Sequence, residues 1–444
     1  MHKKHLFPPY VIFSSLVAAL GSFLFGYHTA IISGGVIFIA RDFGLTDFQE
    51  ELLISITLVG GIFGAISGGV SDYLGRKRTM IIDAFLFLIA TFLLFDAQSY
   101  GVLMGGRLLV GFAIGLASIT VPLYIAEISP PESRGRFVSL NQLLITIGIL
   151  VSFLVSYAYA AEGNWRMMFS VAFLPALLQL FCLLLIPETP PWLISKGQRS
   201  KAEKALHRLR IAPPSEHLVI KEKIAKRPVK SQFQDLLAPS VRAPFFIGIG
   251  ISIFQQITGI NTVIYYAPRI FQLAGFPSAE SAILATVWIG AINVIMTLVG
   301  LWLVDRIGRR PLLIVGVLGM TLSLALLGFA FQFQNSGTGI EAIIALIVYV
   351  GCFAPGLGIV TWLIISEIYP LGVRGRAMSI ATFANWTSNY IVTLTFLTLV
   401  QLLTAGGTYW LFTAICVLCL IYIWKKVPET KGKSFDQIQA FWQK

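Results

Sequence analysis

The chain has 444 residues, 56% of them hydrophobic and only 12% charged, with a formal net charge of +12 and a mean hydropathy of +0.79. An ordinary soluble domain is about a quarter charged, and this much apolar surface cannot be hidden in one water-soluble core. The composition also excludes a disordered chain, a coiled coil and a disulfide scaffold.

Crossing a bilayer takes about 20 mostly apolar residues. Twelve such stretches follow one another at 9–39, 49–71, 79–97, 101–126, 138–160, 166–187, 244–273, 281–304, 311–333, 341–366, 376–404 and 408–427. The first follows a short basic start, as a signal peptide would, but its apolar run continues past residue 30 and reads as an uncleaved span. The segment 188–243 is the one sizeable polar stretch, and Ser200 to Leu209 within it reads as a short amphipathic helix. The predicted fold is an all-α polytopic membrane protein. A six-helix bundle covers 1–187, a linker 188–243, a second six-helix bundle 244–430 and a tail 431–444.

Charge sets the orientation. All but four of the 33 Lys and Arg residues fall at the termini or in alternate loops; the linker holds Lys196, Arg199, Lys201, Lys204, Arg208, Arg210, Lys221, Lys223, Lys226, Arg227, Lys230 and Arg242. The exceptions are Arg41 and Arg166 in the opposite loops, and Arg107 and Arg269 inside spans. Positive loops stay in the cytoplasm, so both termini and the linker are expected there. That accounts for the basic linker without nucleic acid, for which it lacks interleaved aromatics and any recognised fold. Cys182, Cys352, Cys416 and Cys419 all lie in apolar stretches and read as packing residues, not as redox or zinc ligands.

The two halves repeat. The run from Glu127 through Arg134 to Arg136 recurs from Glu367 through Arg374 to Arg376; Asp72, Gly75 and Arg76 recur as Asp305, Gly308 and Arg309; Pro187-Glu188-Thr189 recurs as Pro428-Glu429-Thr430. The offsets are 240, 233 and 241 residues. Six helices plus six, related by duplication, is the plan of an alternating-access carrier, with its substrate site expected near the membrane midplane between the halves. Asp72 and Arg76 are four residues apart and share a helix face. Paired acids and bases at the cytoplasmic helix ends, present in both halves, are expected to form a gate; anchoring in lipid headgroups is the plainer alternative. Gly60, Gly64 and Gly68, with Gly111 and Gly115, read as close helix packing.

These residues resemble the sugar porter family of the major facilitator superfamily, which includes bacterial xylose– and hexose–proton symporters and animal facilitative glucose carriers. The likeness covers nearly the whole chain. The Asp72 motif is shared across the superfamily; Gln255-Gln256-Ile257-Thr258-Gly259-Ile260-Asn261 and the two Pro-Glu-Thr runs are much more specific. The resemblance implies a monosaccharide, hexose or pentose, as substrate, the lipid bilayer as surroundings, a functional monomer, and no cofactor beyond a proton gradient as driving force. Neither a nucleophile–base pair nor a phosphate loop is visible, so no enzyme activity is expected.

The site chemistry agrees. A sugar is neutral with many hydroxyls, and side-chain amides match them without a buried charge. Gln142, Gln255, Gln256, Asn261, Asn293, Asn385 and Asn389 all lie within spans, and Trp362 and Trp386 can stack on a sugar ring. The resemblance adds Phe25, and it implies that Tyr265 and Tyr266 close over the sugar from outside; an interfacial aromatic belt is the rival for Tyr265. On an ideal helix Gln255 and Asn261 lie about 240° apart, so Gly259 is expected to break span seven and turn both inward.

Some positions depart from the family. The usual Gly-Pro of span ten is partly lost in the run from Phe353 to Trp362, and Ile149 stands where some symporters carry a second glutamine. The first loop is short, and Asn385-Trp386-Thr387, the sole glycosylation match, lies within a span, which points to a bacterial inner membrane. His28 stands where proton-coupled relatives carry Asp and uniporters carry Asn, and Arg107 matches the arginine that pairs with that Asp. A cationic His beside Arg is repelled and poorly solvated, so His28 is expected to stay neutral and act as Asn does; titration from an acidic exterior is the alternative. Proton symport and facilitated uniport both remain open. Two other functions stand as alternatives: an exporter of another small molecule, which would not need the amides, and a non-transporting sugar sensor, which would usually carry a longer tail.

Overall fold

The computed structural model describes residues 8–130, 133–210, 236–333, 337–370, 373–433 and 437. Linker residues Lys221, Lys223, Lys226, Arg227 and Lys230, and most of the expected tail, lie outside the described residues. Among the described residues there is no strand. Among the described residues eleven helices are long and apolar enough to cross a membrane: Pro9–Phe43, Asp47–Leu74, Arg76–Phe95, Tyr100–Ile128, Arg134–Ala158, Trp165–Leu185, Val241–Leu273, Ala279–Ile307, Arg309–Gln332, Thr338–Ile368 and Arg374–Lys426. The last has 53 residues and is interrupted at Thr404, where φ is 65° and ψ 167°. It therefore holds spans eleven and twelve, and the twelve expected spans are all present. The amphipathic linker helix is Arg199–Leu209; its Ala202 and Ala205 cluster with Trp192 and Leu193 of the short helix Pro190–Ser195.

The outward surface of the spans is apolar. Phe63, Phe92, Leu174, Phe181, Trp288 and Leu322 are all more than half exposed, which suits acyl chains and would be an aggregation hazard in water. At the Lys- and Arg-rich end of the spans (the basic end), Arg306 lies 3.9 Å over Trp302 and Arg310 5.9 Å over Trp424, the pattern of an interfacial belt.

The expected glycine packing is seen between spans two and four. A Cβ at Gly60 would lie 2.1 Å from the Leu108 carbonyl oxygen, one at Gly64 2.1 Å from that of Phe112, and one at Gly115 2.2 Å from that of Gly61. The two backbones therefore touch, and any larger residue would force them apart.

The described residues form two compact units. One holds the residues up to His28, Val59–Gly148 and Phe169 to Arg210; the other holds Thr29–Leu58, Ile149–Met168 and the residues from Leu236 onward. In the second unit two spans are broken. Span seven stops at Ile257 and restarts at Ile260, with Gly259 in the left-handed region at φ 98°, as its sequence led one to expect. Span ten is broken too, despite its altered Gly-Pro: Ala354–Gly358 is a wider π turn, and Gly356 has non-helical angles of −86° and −108°. Pro355 withholds an N–H and Gly356 tolerates the bend.

Candidate functional site

The two breaks meet. A helix break releases carbonyls that need donors, and Gln255 supplies one. Its Nε2 donates to Leu357 O at 2.8 Å and lies 3.4 Å from Gly358 O. From span ten, Tyr349 returns a hydroxyl to Thr258 O at 2.9 Å. Around this joint four amides form one network. Gln256 Nε2 donates to Asn385 Oδ1 at 3.1 Å, Asn385 Nδ2 to Gln255 Oε1 at 2.7 Å and to Ser252 O at 2.9 Å, and Asn261 Nδ2 to Gln256 Oε1 at 2.6 Å. The break at Gly259 thus brings Asn261 and Gln256 into contact. Gln255, Gln256 and Asn385 are buried. Each amide can exchange an amide partner for a hydroxyl without stranding a charge, which is the chemistry a polyol needs.

The other expected ligands are placed as follows. Asn293, Trp386 and Asn389 are buried in the same unit, and Trp362 is 36% exposed; the Thr393 hydroxyl donates to Asn389 Oδ1 at 3.1 Å. Gln142 and Phe25 belong to the other unit and are half-buried. Tyr265 and Tyr266 are both buried, so Tyr265 is not an interfacial belt residue. Tyr266 donates to Thr393 O at 2.9 Å and packs its ring 5.0 Å from Phe396.

At the basic end, the repeated motifs build the same network twice. In the first unit, Arg76 Nη2 lies 2.8 Å from Asp72 and 3.1 Å from Glu127. Glu188 accepts the Arg76 and Lys77 backbone N–H groups at the start of span three, at 3.0 and 3.1 Å, and Thr189 donates its hydroxyl to Glu127. In the second unit, Arg309 meets Glu367 at 2.9 Å and Asp305 at 3.4 Å. Glu429 accepts the Arg309 and Arg310 N–H groups at 3.1 and 3.0 Å, and Thr430 donates to Glu367. Gly75 and Gly308, at φ 102° and 107°, turn the chain between spans; a Cβ there would lie 2.3 and 2.8 Å from these glutamates. A carboxylate on a helix N-terminus is favourable. The two differ in titration. Burial pushes the Glu188 carboxyl up, against hydrogen bonds from Thr189, Lys77 and Arg76. Burial also acts on Glu429, but backbone N–H groups of Lys431, Arg309, Arg310 and Thr430 hold it below the usual range. Arg134 is exposed and joins no ion pair among the described residues; Arg374 Nε donates to Tyr369 O at 3.2 Å.

His28 is fully buried. Its ring stacks on Phe87 at 5.4 Å with the planes 4° apart, and its Nε2 lies 3.4 Å from the Thr91 hydroxyl. Arg107 does approach His28, but through the backbone: Nη1 donates to His28 O at 3.0 Å. That bond does not depend on the side chain at position 28.

Sequence reasoning missed a cluster at the opposite ends of the spans. Glu51, 0% exposed, accepts the Thr398 N–H and hydroxyl, each at 2.8 Å. Asp47 lies 3.3 Å from Arg269 and accepts from Gln401. These contacts lie within the second unit and join span two to spans seven and eleven. The available signal was Arg269, a lone arginine far from the basic end; acids at the start of span two are also what a helix N-terminus favours by itself.

A family model described as "Sugar (and other) transporter" matches residues 14–442. The chain is 36% identical over 438 residues to the major myo-inositol transporter of Bacillus subtilis, covering 96% of this chain and 92% of that protein. It is 36% identical over 433 residues to the D-xylose transporter of Levilactobacillus brevis, covering 95% and 93%. Among solved structures, the partially occluded inward-open form of the xylose transporter XylE from E. coli matches with a TM-score of 0.83 and 34% identity, over 96% of this chain and all of that one.

Proposed function

This chain belongs to the family of sugar (and other) transporters, multi-pass membrane proteins that are not enzymes, and we propose that it carries a monosaccharide or cyclic polyol across the membrane by alternating access. The observation that carries this reading is the amide network of Gln255, Gln256, Asn261 and Asn385 at two helix breaks. Relatives named for D-xylose and myo-inositol support the same substrate class. Discontinuous helices are a common way for a carrier to present polar groups inside a membrane. Sugar hydroxyls replace the amide–amide bonds one for one, so binding costs little in unmade hydrogen bonds.

The basic end faces the cytoplasm, following the positive-inside bias, and a bacterial inner membrane is its setting. The two basic-end networks then hold the inner helix ends, and the Glu51–Thr398 and Asp47–Arg269 contacts latch the outer ones. Tyr265 and Tyr266 stand between the outer latch and the amides along span seven. The carrier works as a monomer in the bilayer. His28 acts as a neutral polar residue, since Arg107 is engaged through the backbone carbonyl. Titration calorimetry of the detergent-solubilised protein with D-xylose and myo-inositol tests this. At least one should bind, and Gln256→Ala should weaken it; binding of neither, by folded protein, would remove the substrate class.

A further inference from the structure

Asp83 is, among the described residues, the one carboxylate inside a span away from the charge clusters at both ends. It lies on span three, 1% exposed, and neither carboxyl oxygen has a hydrogen-bond partner. Facing the same space is Gln179 of span six, fully buried, with both its amide nitrogen and its oxygen unpartnered. The space is the one left by Gly21 of span one. A Cβ there would lie 2.9 Å from Gln179 Nε2, 3.1 Å from Val121 of span four and 3.8 Å from Asp83 Oδ2. Four helices thus converge on two polar side chains that bond neither each other nor any other described residue.

An ionised carboxylate is not stable in such a place. It needs paired charge or several donors, and among the described residues no cation faces it. From span one it meets Gly21, with His28 two turns farther on. From span four it meets Val121; Tyr124 lies one turn nearer the basic end and donates its hydroxyl to Pro187 O at 2.8 Å, and Arg107 is held on the His28 carbonyl. Span six offers Gln179 and, one turn away, Cys182. On its own span Arg76 and Lys77 lie two turns away in the basic-end network. Asp83 also lies on the ridge that touches His28. Asp83, Phe87 and Thr91 recur every four residues along one face, and Phe87 and Thr91 are the residues against the His28 ring.

We propose that Asp83 is the proton-binding group of this carrier, placed on span three beside Gln179. The step is simple: the carboxylate takes a proton from hydronium and leaves water, and no other bond changes. The neutral acid suits the packed state described here. Separation of spans one and six around Gly21 hydrates the site and releases the proton. Because a ligand shifts a conformational equilibrium only through its different affinity for the two states, this difference couples the proton gradient to transport.

The proposal rests on the carrier reading, and one experiment separates the two. Purified protein is reconstituted in proteoliposomes, and exchange of labelled D-xylose and of myo-inositol is measured with and without an imposed pH gradient. The infrared spectrum of the same protein is searched for the C=O stretch of a protonated carboxyl. Wild type should accumulate sugar with the gradient and show the band at neutral pH; Asp83→Asn should retain exchange, fail to accumulate and lose the band. Accumulation by Asp83→Asn equal to wild type, or a band unchanged in that variant, would overturn the proposal. The band with no exchange of either sugar would support the proton site and remove the carrier reading for these substrates. Should Asp83→Asn fail to assemble, Gln179→Leu keeps the acid and removes its polar neighbour. The band's titration should then move, and an unmoved titration counts against the assignment.

Discussion

Gln255 and Gln256 are neighbours in sequence but have different tasks. Gln255 holds the broken strand of backbone in span ten, whereas Gln256 links Asn261 and Asn385. Gln256→Ala and Asn261→Ala should each weaken sugar binding by about 1–3 kcal/mol, the usual cost of a buried hydrogen-bonding group left unmade, with no loss of folded protein. Calorimetry reads this, and unchanged affinity in both variants would take them out of the site. His28→Asn should leave exchange and its response to a pH gradient near wild type, because Arg107 bonds a carbonyl that every residue has. Abolished gradient response in that variant would make His28 the proton carrier. The two network glutamates give a pH signature. Glu188 is raised, so its ionised form costs stability, and the cost is relieved as pH falls through its raised value. Glu429 is lowered, so its contribution holds above the usual carboxylate range and fades only in stronger acid. Lowering the internal pH should therefore protonate Glu188 first, relieving the burial cost in the first network, and loosen the second network only in stronger acid. Glu188→Gln should remove the higher of two steps in the pH profile of the transport rate, and Glu429→Gln the lower; one shared step removed by either variant would contradict this.

Among the elements, the broken spans do most to place the site. The break in span seven was legible in the sequence because a glycine stood between two amides that a continuous helix would have pointed apart. That in span ten was harder to foresee: its usual Gly-Pro is partly lost, yet Pro355 and Gly356 suffice to open a π turn. The paired basic-end networks were legible because duplication wrote them twice at nearly one offset. The Glu51–Thr398 and Asp47–Arg269 contacts were not, since their partners are 347 and 222 residues apart and no local pattern marks them. Asp83 and Gln179 were legible in principle as ionisable and amide groups inside apolar spans, but their shared isolation is visible only in three dimensions. Gly259→Ala should be poorly tolerated: φ 98° strains an L residue, and the new Cβ would lie 3.3 Å from the Phe412 ring. Substrate affinity should fall further than for either amide variant. Affinity equal to wild type would mean the break does not need glycine.

For the whole molecule, alternating access requires two ends that hold in alternation. Arg76→Ala or Glu127→Ala should slow net transport more than it weakens sugar affinity if, as proposed, these charges bias conformations from outside the amide network. Normal exchange and net uptake in both would leave them as anchors. Glu51→Gln should loosen the opposite end, worth about 2 kcal/mol if both Thr398 bonds weaken, and spin labels on the ends of spans two and eleven should report a longer distance. The central claim is transport itself, and counterflow measures it most directly. Sealed proteoliposomes preloaded with unlabelled D-xylose or myo-inositol are diluted into a trace of the labelled compound. Wild type should show transient accumulation of label for at least one of them, with Gln256→Ala much reduced. No accumulation of either by folded protein, or equal accumulation by the variant, would contradict the account.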